Sequence, residues 1–351
     1  MKRCITISLL LAVFSCTARA SHITGGEMFY VLTSSAGGQH TYSITLKLFQ
    51  RCNSGRQFPN PTIISVFDKI TGVRVVDRSV PITNTENIAI TNPDPCITNP
   101  PTVCYDVAYY TFSITLEETM NGYVLSSQVN FRINGISNLL PGSGNVGAIY
   151  SCEIPGTNPV NTGAFNNSAH FTGSDLVVVC ANNEFHYSFA AEDPDGDDLH
   201  YSFCEAFAST SAAGGTVEPT GPPPFPSVPY NTPVYSGSAP LGDQVSIDPN
   251  TGLISGIAPP QGIYVVTVCV DEIRNGLVIA RQRKDIQINI ADCDIASASL
   301  PPEFSLCRNT MTISVANQSS SPLIQTTYWE FIDNNGTVIY TSTNTIATYT
   351  F

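Results

Sequence analysis

At 351 residues the chain has room for two or three domains, each able to bury its own core. Only 12% of residues are charged, lysine is scarce, and Gly and Pro number 25 each, which is the palette of strands joined by turns rather than of helices. The formal net charge of -13 argues against nucleic acid or anionic lipid as a partner, since both would repel such a chain.

The N-terminus runs Lys2-Arg3, then the apolar CITISLLLAVF, then SCTARA with small residues at Ala18 and Ala20. This is the three-part pattern of a secretory signal peptide over residues 1–20, with cleavage before Ser21. Losing Lys2, Arg3 and Arg19 with it takes the formal charge to -16. Acylation of Cys16 as a lipoprotein is the rival reading, against which stands the bulky Phe14 two residues earlier. No later run approaches the roughly 18 apolar residues a spanning helix needs. The sequence therefore predicts a secreted or cell-surface protein with no transmembrane segment after the leader.

Nine cysteines follow the leader: Cys52, Cys96, Cys104, Cys152, Cys180, Cys204, Cys269, Cys293 and Cys307. In an oxidising compartment they are expected to form disulfides, and the odd number leaves at least one without a partner in this chain. Their spacings contain no CxxC and no His at ligand distance, which argues against zinc. Cys96 and Cys104 bracket a Pro-rich loop and are candidates to close it, although spacing alone does not fix the pairing.

Three segments follow in chain order. Residues 21–174 carry period-two stretches: in YSITLKLF, Tyr42, Ile44, Leu46 and Leu48 share one face, with Ser43, Thr45 and Lys47 opposite. YTFSITL repeats the pattern through Tyr110, Phe112, Ile114 and Leu116. Gly-Gly at 25 and 37 and LPGSGNVG at 140 supply turns. Residues 175–292 open on LVVVCANNEFHYSFAAEDPDGDDLHYSF and contain PTGPPPFPSVPYNTP, which cannot pair centrally in a sheet and is expected as an extended surface connection. VSIDPNTGLISG, GIYVVTVCVDE and KDIQINI then give strand candidates, and short strands at this spacing suggest a sandwich of about 100 residues. Residues 293–351 begin a third β-domain that stops at Phe351 in the middle of a strand pattern, so the last domain is expected to be incomplete. The predicted fold class is all-β, as tandem antiparallel sandwiches of immunoglobulin-like type.

SHITGGEMFY, YSITLKLFQRC, GISNLLPGSG and VCVDEIRNGLVIARQRKDIQINIADC, in this order, resemble a group of exported Bacteroidetes cell-surface proteins. Such proteins often end in a gliding-motility-associated C-terminal sorting domain read by the type IX secretion system. The resemblance spans Ser21 to Cys293 and implies a large surface protein, outer-membrane attached where such a sorting domain follows. Within residues 175–292, DPDGDDLHYS, IDPNTGLISG and GIYVVTVCVDE look like cadherin-like, immunoglobulin-type repeats. The third segment looks like the start of a polycystic-kidney-disease-type domain, with YWEFIDNNG as a degenerate form of its aromatic-Gly-Asp-Gly motif.

EDPDGDDLHYSF packs five carboxylates into seven positions. Asp193, Asp195 and Asp197 alternate, and Gly196 permits a tight path round one cation, for which calcium is the hard ion of choice. An EF-hand register fails, with Asp198 at position six and Cys204 at position twelve counted from Asp193. A calcium site here would be of the cadherin-like sort, completed by Glu192 or Asp271. The competing reading is a hydrated Asx-rich turn. Asp248 in IDPNTG reads as a turn former.

Motifs for nucleophilic, metalloprotease, P-loop or dinucleotide chemistry are absent, so no enzymatic activity is expected. His186 and His200 are candidates to meet across a hairpin but read first as ordinary polar strand positions, Glu117-Glu118 reads as a solvated strand end because the sequence does not fix the spacing to a partner carboxylate that a glycosidase needs, and Trp329 with Tyr328 and Phe331 reads as core before sugar platform. The sequence points to a non-enzymatic adhesion or scaffold protein whose partner is a surface protein or polysaccharide. The alternative is a secreted carbohydrate-binding or degradative accessory protein whose functional module lies beyond residue 351.

Overall fold

The computed structural model describes residues 23–90, 97–98, 103–157, 165–176, 179–210, 217–295, 300, 311–318 and 324–351. The expected leader, Cys96 and Cys307 lie outside these. The described chain is all-β, and its only helical element is one 3-10 turn at Ser143–Asn145. It divides into two compact units, one over 23–90 and 103–290, the other over 97–98 and 291–351.

In the first unit β1 (Ile23–Ala36) and β2 (Gln39–Arg51) form a hairpin closed by Gly37 and Gly38, both at positive φ, as a primed two-residue turn requires. β3 (Thr62–Asp68), β4 (Arg74–Val80), β5 (Asn84–Ala89), β6 (Cys104–Glu117), β7 (Tyr123–Val129) and β8 (Ala148–Ile154) follow. After them come β9 (Glu184–Ser188), β10 (Asp198–Phe203), β11 (Val245–Ile247), β12 (Leu253–Ile257), β13 (Gly262–Arg274) and β14 (Leu277–Ala291). Twelve strands share one curled sheet, ordered β4-β3-β7-β8-β14-β1-β2-β6-β5, with β13 and β10 continuing from β14 and Val179–Cys180 also on β14. All its ladders described here are antiparallel.

The expected boundary between residues 174 and 175 does not separate two sheets. β14 carries β13 along one edge, while its other edge is shared by β1, through Gly25↔Ile286 to Glu27↔Lys284, and β8, through Gln282↔Cys152. Gly25 makes this approach possible: a Cβ there would stand 2.4 Å from the Asp285 carbonyl oxygen. Non-local pairing, invisible to local periodicity, thus fuses the two segments.

The period-two reading holds within the strands. Tyr42, Ile44, Leu46 and Leu48 are buried, as are Tyr110, Ile114 and Leu116, and they share one core with Tyr30, Leu125 and Tyr150. A second core gathers Phe185, Phe189 and Ile254 with Val266, Val268, Ile286 and Ile288 of the β13–β14 hairpin. The Pro-rich stretch joins no regular ladder but is not merely superficial, since its Val228 and Tyr230 are buried in a third core with Ile133, Ile136 and Leu139. Asn138, in GISNLL, is fully buried and acts as a strand surrogate. Its Nδ2 donates to the Val265 and Pro240 carbonyls at 2.8 Å each, and its Oδ1 accepts the Val265 N–H at 3.0 Å. Arg132, also without exposed surface, makes a bidentate pair with Asp285 at 3.0 and 2.6 Å, the fork geometry that best offsets burial of charge.

Cys52 is disulfide-bonded to Cys104 and Cys204 to Cys269. The first pairing corrects the local Cys96–Cys104 closure: β2 and β6 run side by side with Arg51 opposite Tyr105, which brings the next residues into reach. Cys180 and Cys293 are also in disulfides. Cys152 is a buried free thiol.

In the second unit β15 (Thr312–Ala316) pairs with β18 (Ile346–Thr350), and β16 (Trp329–Ile332) with β17 (Val338–Ser342). The Asp333 side chain shapes the β16–β17 turn by accepting the Asn335 and Thr337 N–H groups at 2.8 and 2.9 Å. Trp329 is half-buried and donates its Nε1 proton to the Asn344 carbonyl at 2.8 Å. Among the described residues no helix is long and apolar enough to cross a membrane.

Candidate functional site

The acidic loop leads from Ala191–Glu192, which pairs with His170–Phe171, into β10. Asp193 builds it: its Oδ1 accepts the N–H of Asp195 at 2.8 Å and of Asp197 at 3.1 Å, an Asx turn that draws the next two carboxylates inward. Gly196 completes the reversal at φ 80°. Carboxylate oxygens of Asp193, Asp195 and Asp197 consequently lie within 4.8 Å of one another. Burial pushes the Asp193 carboxyl up, and its two carboxylate neighbours add to the rise against the two backbone hydrogen bonds. Its Oδ2 is buried and accepts no hydrogen bond.

This charge is met from within the fold. Arg274, at the end of β13, donates from Nε and Nη2 to the two oxygens of Asp197 at 2.7 and 2.6 Å, and its Nη2 stands 3.5 Å from Asp195. Asp195 also accepts the backbone and side-chain N–H of Asn167 at 2.6 and 2.7 Å. The Asp197 side chain is only 5% exposed and that of Arg274 18%, so this bidentate pair is shielded far better than a surface ion pair.

The clamp continues inward. Arg274 Nη2 donates to Asn166 Oδ1 at 2.7 Å, and Asn166 Nδ2 donates to Glu272 Oε2 at 2.7 Å and to the Tyr30 hydroxyl at 2.9 Å. Glu272, buried on β13, further accepts the Ala169 N–H at 2.7 Å and Gln282 Nε2 at 3.0 Å. Burial raises its carboxyl to about 7 despite these three donors. The stretch FNNSA at 165–169 is thus tied to β13, and to β1 through Ser168 and Asn167, which accept the Tyr30 and Leu32 N–H groups at 2.8 Å each. Nothing in the periodicity of FNNSA announces this role; only its run of short amide and hydroxyl side chains hints at backbone pairing.

Of the four residues expected to ligate a cation, the structure brings together Asp193, Asp195 and Asp197. Asp271 instead takes Arg281, whose Nε and Nη2 donate to it at 2.5 and 2.8 Å. The trio offers the hard oxygens calcium prefers, including one buried and unpartnered, but Asp195 and Asp197 already share a guanidinium. Asp248 forms its turn, accepting the Asn250 and Thr251 N–H groups at 2.8 and 2.9 Å. His186 and His200 lie in different sheets, opposite Ser255 and Asp271. Glu117 is exposed at the end of β6, and Glu118 pairs with His40 at 3.3 Å.

A second feature is an open groove of about 590 Å³ whose Asn87 donates to Cys104 Sγ at 3.6 Å. Gln50, Arg56, Phe58, Glu86, Asn87 and Asp106 line it. Gln50 Nε2 holds the Arg56 carbonyl at 2.7 Å and Asn87 Nδ2 holds Asp106 at 2.8 Å, so the wall is organised by its own hydrogen bonds. Amide, carboxylate and guanidinium groups beside one aromatic ring suit a hydroxyl-rich or peptide-like ligand.

No protein-family model, no curated protein and no solved structure matches this chain.

Proposed function

We propose that this is a non-enzymatic exported cell-surface adhesion or scaffold protein, with recognition centred on the groove between the Cys52 loop, β5 and β6. The observation that carries the reading is the groove itself, a solvent-open surface of mixed polarity that sets amide, carboxylate and guanidinium groups beside Phe58 and Ile82. A pre-organised wall loses little conformational entropy when it meets a ligand. The acidic loop serves the same rigidity: Arg274 is its resident cation, and calcium would have to compete with that guanidinium for Asp195 and Asp197.

A carbohydrate-binding accessory role is favoured by the same groove, because amide and carboxylate side chains beside Phe58 are suited to hydroxyl arrays. Binding of the purified full chain to bacterial surface polysaccharides and to immobilised surface proteins tests and separates these readings. Retention that falls at least tenfold in Asp106→Ala and Arg56→Ala supports recognition at the groove, and selectivity for polysaccharide favours the accessory role. Retention unchanged in both variants refutes the site.

A further inference from the structure

Only four lysines occur in the chain, and two of them, Lys47 and Lys284, stand round one aspartate inside the first unit. Glu27 on β1 is directly opposite Lys47 on β2 and Lys284 on β14, so three adjacent strands set a Lys-Glu-Lys row across one face. Asp175 closes the row from above. Its turn is fixed by the Leu176 N–H on Ser174 Oγ at 3.1 Å and by Tyr187, whose hydroxyl donates to the Ser174 carbonyl at 2.7 Å. Lys284 Nζ contacts Asp175 Oδ1, Lys47 Nζ donates to Oδ2 at 2.7 Å, and Glu27 Oε1 lies 3.8 and 3.9 Å from the two ammonium groups. The Lys284 side chain is 3% exposed and that of Glu27 5%. The rings of Phe171, Phe189 and Phe49 surround Lys284 Nζ with centroids 5.7 to 5.9 Å away.

We propose that Lys284 and Asp175 are an autocatalytic cross-linking site, forming an intramolecular amide between Lys284 Nζ and Asp175 Cγ with Glu27 as the proton carrier. This goes beyond the adhesive reading and stands independently of it.

The ammonium first gives a proton to the Asp175 oxygen it touches, an uphill step because Lys284 and Lys47 hold that carboxyl below its usual range against burial, leaving a neutral amine and a carboxylic acid. Nζ attacks Cγ, and Lys47, which remains protonated on Oδ2, stabilises the charge that develops on that oxygen. Glu27 takes the second proton from Nζ and delivers it to the departing Oδ1. The C–N bond forms, the C–O bond breaks, one water leaves and Glu27 returns to its starting state, so no oxidant or other reactant is consumed. Burial raises the Glu27 carboxyl against the pull of Lys284 and Lys47, which makes it a better base. Two features drive the condensation. The fold holds the reactants at the high effective molarity of an intramolecular pair, and a neutral amide replaces a buried ion pair that is costly to keep desolvated. Lys47 and Glu27 are left as one cation and one anion, so charge still balances.

Intact-mass measurement of the purified full chain, reduced and alkylated, followed by a tryptic map, tests this. The expected mass is one water below that of the sequence, with a branched peptide joining Lys284 to Asp175 and no cleavage after Lys284. Glu27→Gln and Lys284→Arg regain the lost water. A wild-type mass equal to the sequence, or a lost water that maps to the Asp195-Gly196 peptide as a local dehydration, overturns the proposal without recourse to any variant.

Discussion

Glu272 makes the first unit respond to pH in a way one substitution can isolate. Its folded-state carboxyl titrates at about 7, against 4.5 for the free side chain, because burial opposes the charge more than Ala169, Asn166 and Gln282 support it. The folded protein therefore holds this proton more tightly than the unfolded chain. The resulting stabilisation is complete below about pH 4.5 and disappears as pH rises through about 7. At about 1.4 kcal/mol per unit of displacement, the loss between pH 5 and pH 8 is about 2 to 3 kcal/mol. Urea unfolding with the disulfides intact, measured at intervals over that range, reads it directly. Glu272→Gln cannot titrate; it sets an amide N–H against Asn166 Nδ2 and so carries a pH-independent penalty of about 1 to 2 kcal/mol, but its stability curve should be flatter by the amount stated. Glu27, also raised by burial, contributes equally to both proteins and cancels in the difference. Parallel curves for wild type and Glu272→Gln would refute the assignment of the titration to this residue.

Three further outcomes are expected. Replacing the Cys52–Cys104 or Cys204–Cys269 pair by serines releases loops with sequence separations of 52 and 65 residues, each worth about 4 kcal/mol on the chain-entropy relation, to be read as a shift in the urea midpoint. Asn138→Ala leaves the Val265 N–H and two carbonyls unpartnered in the core and should cost about 2 kcal/mol or more, with hydrogen exchange accelerated at Val265. Cys152 is buried and its thiol is pushed far up by desolvation, so it should resist alkylation in the folded protein and react once urea unfolds it.

Strand content was legible because the alternation in YSITLKLF and YTFSITL matches the pleat of half-buried strands, and the same side chains line the core. Sheet membership was not legible. That β14 would insert beside β1 and β8 depends on a long-range approach which Gly25 allows but does not announce. The acidic loop was visible from composition, and the Asp193, Asp195 and Asp197 grouping follows from their alternation round Gly196. Its counter-charge was hidden, since Arg274 lies 77 residues from Asp197 and meets it only through the β10–β13 pairing. Lys47 read as an ordinary outward-facing strand position, because a period-two pattern distinguishes two faces but cannot show that a second layer covers the polar one.

Calorimetric titration of the full chain with calcium, wild type against Arg274→Ala, tests most directly whether the acidic loop is a self-neutralised clamp. With the guanidinium as resident cation, wild type should show no saturable heat below millimolar calcium. Arg274→Ala should bind one ion at least tenfold more tightly and lose that binding when Asp197→Ala is added. Equal saturable binding in wild type and Arg274→Ala would contradict the clamp and identify the loop as a metal site that Arg274 does not occupy.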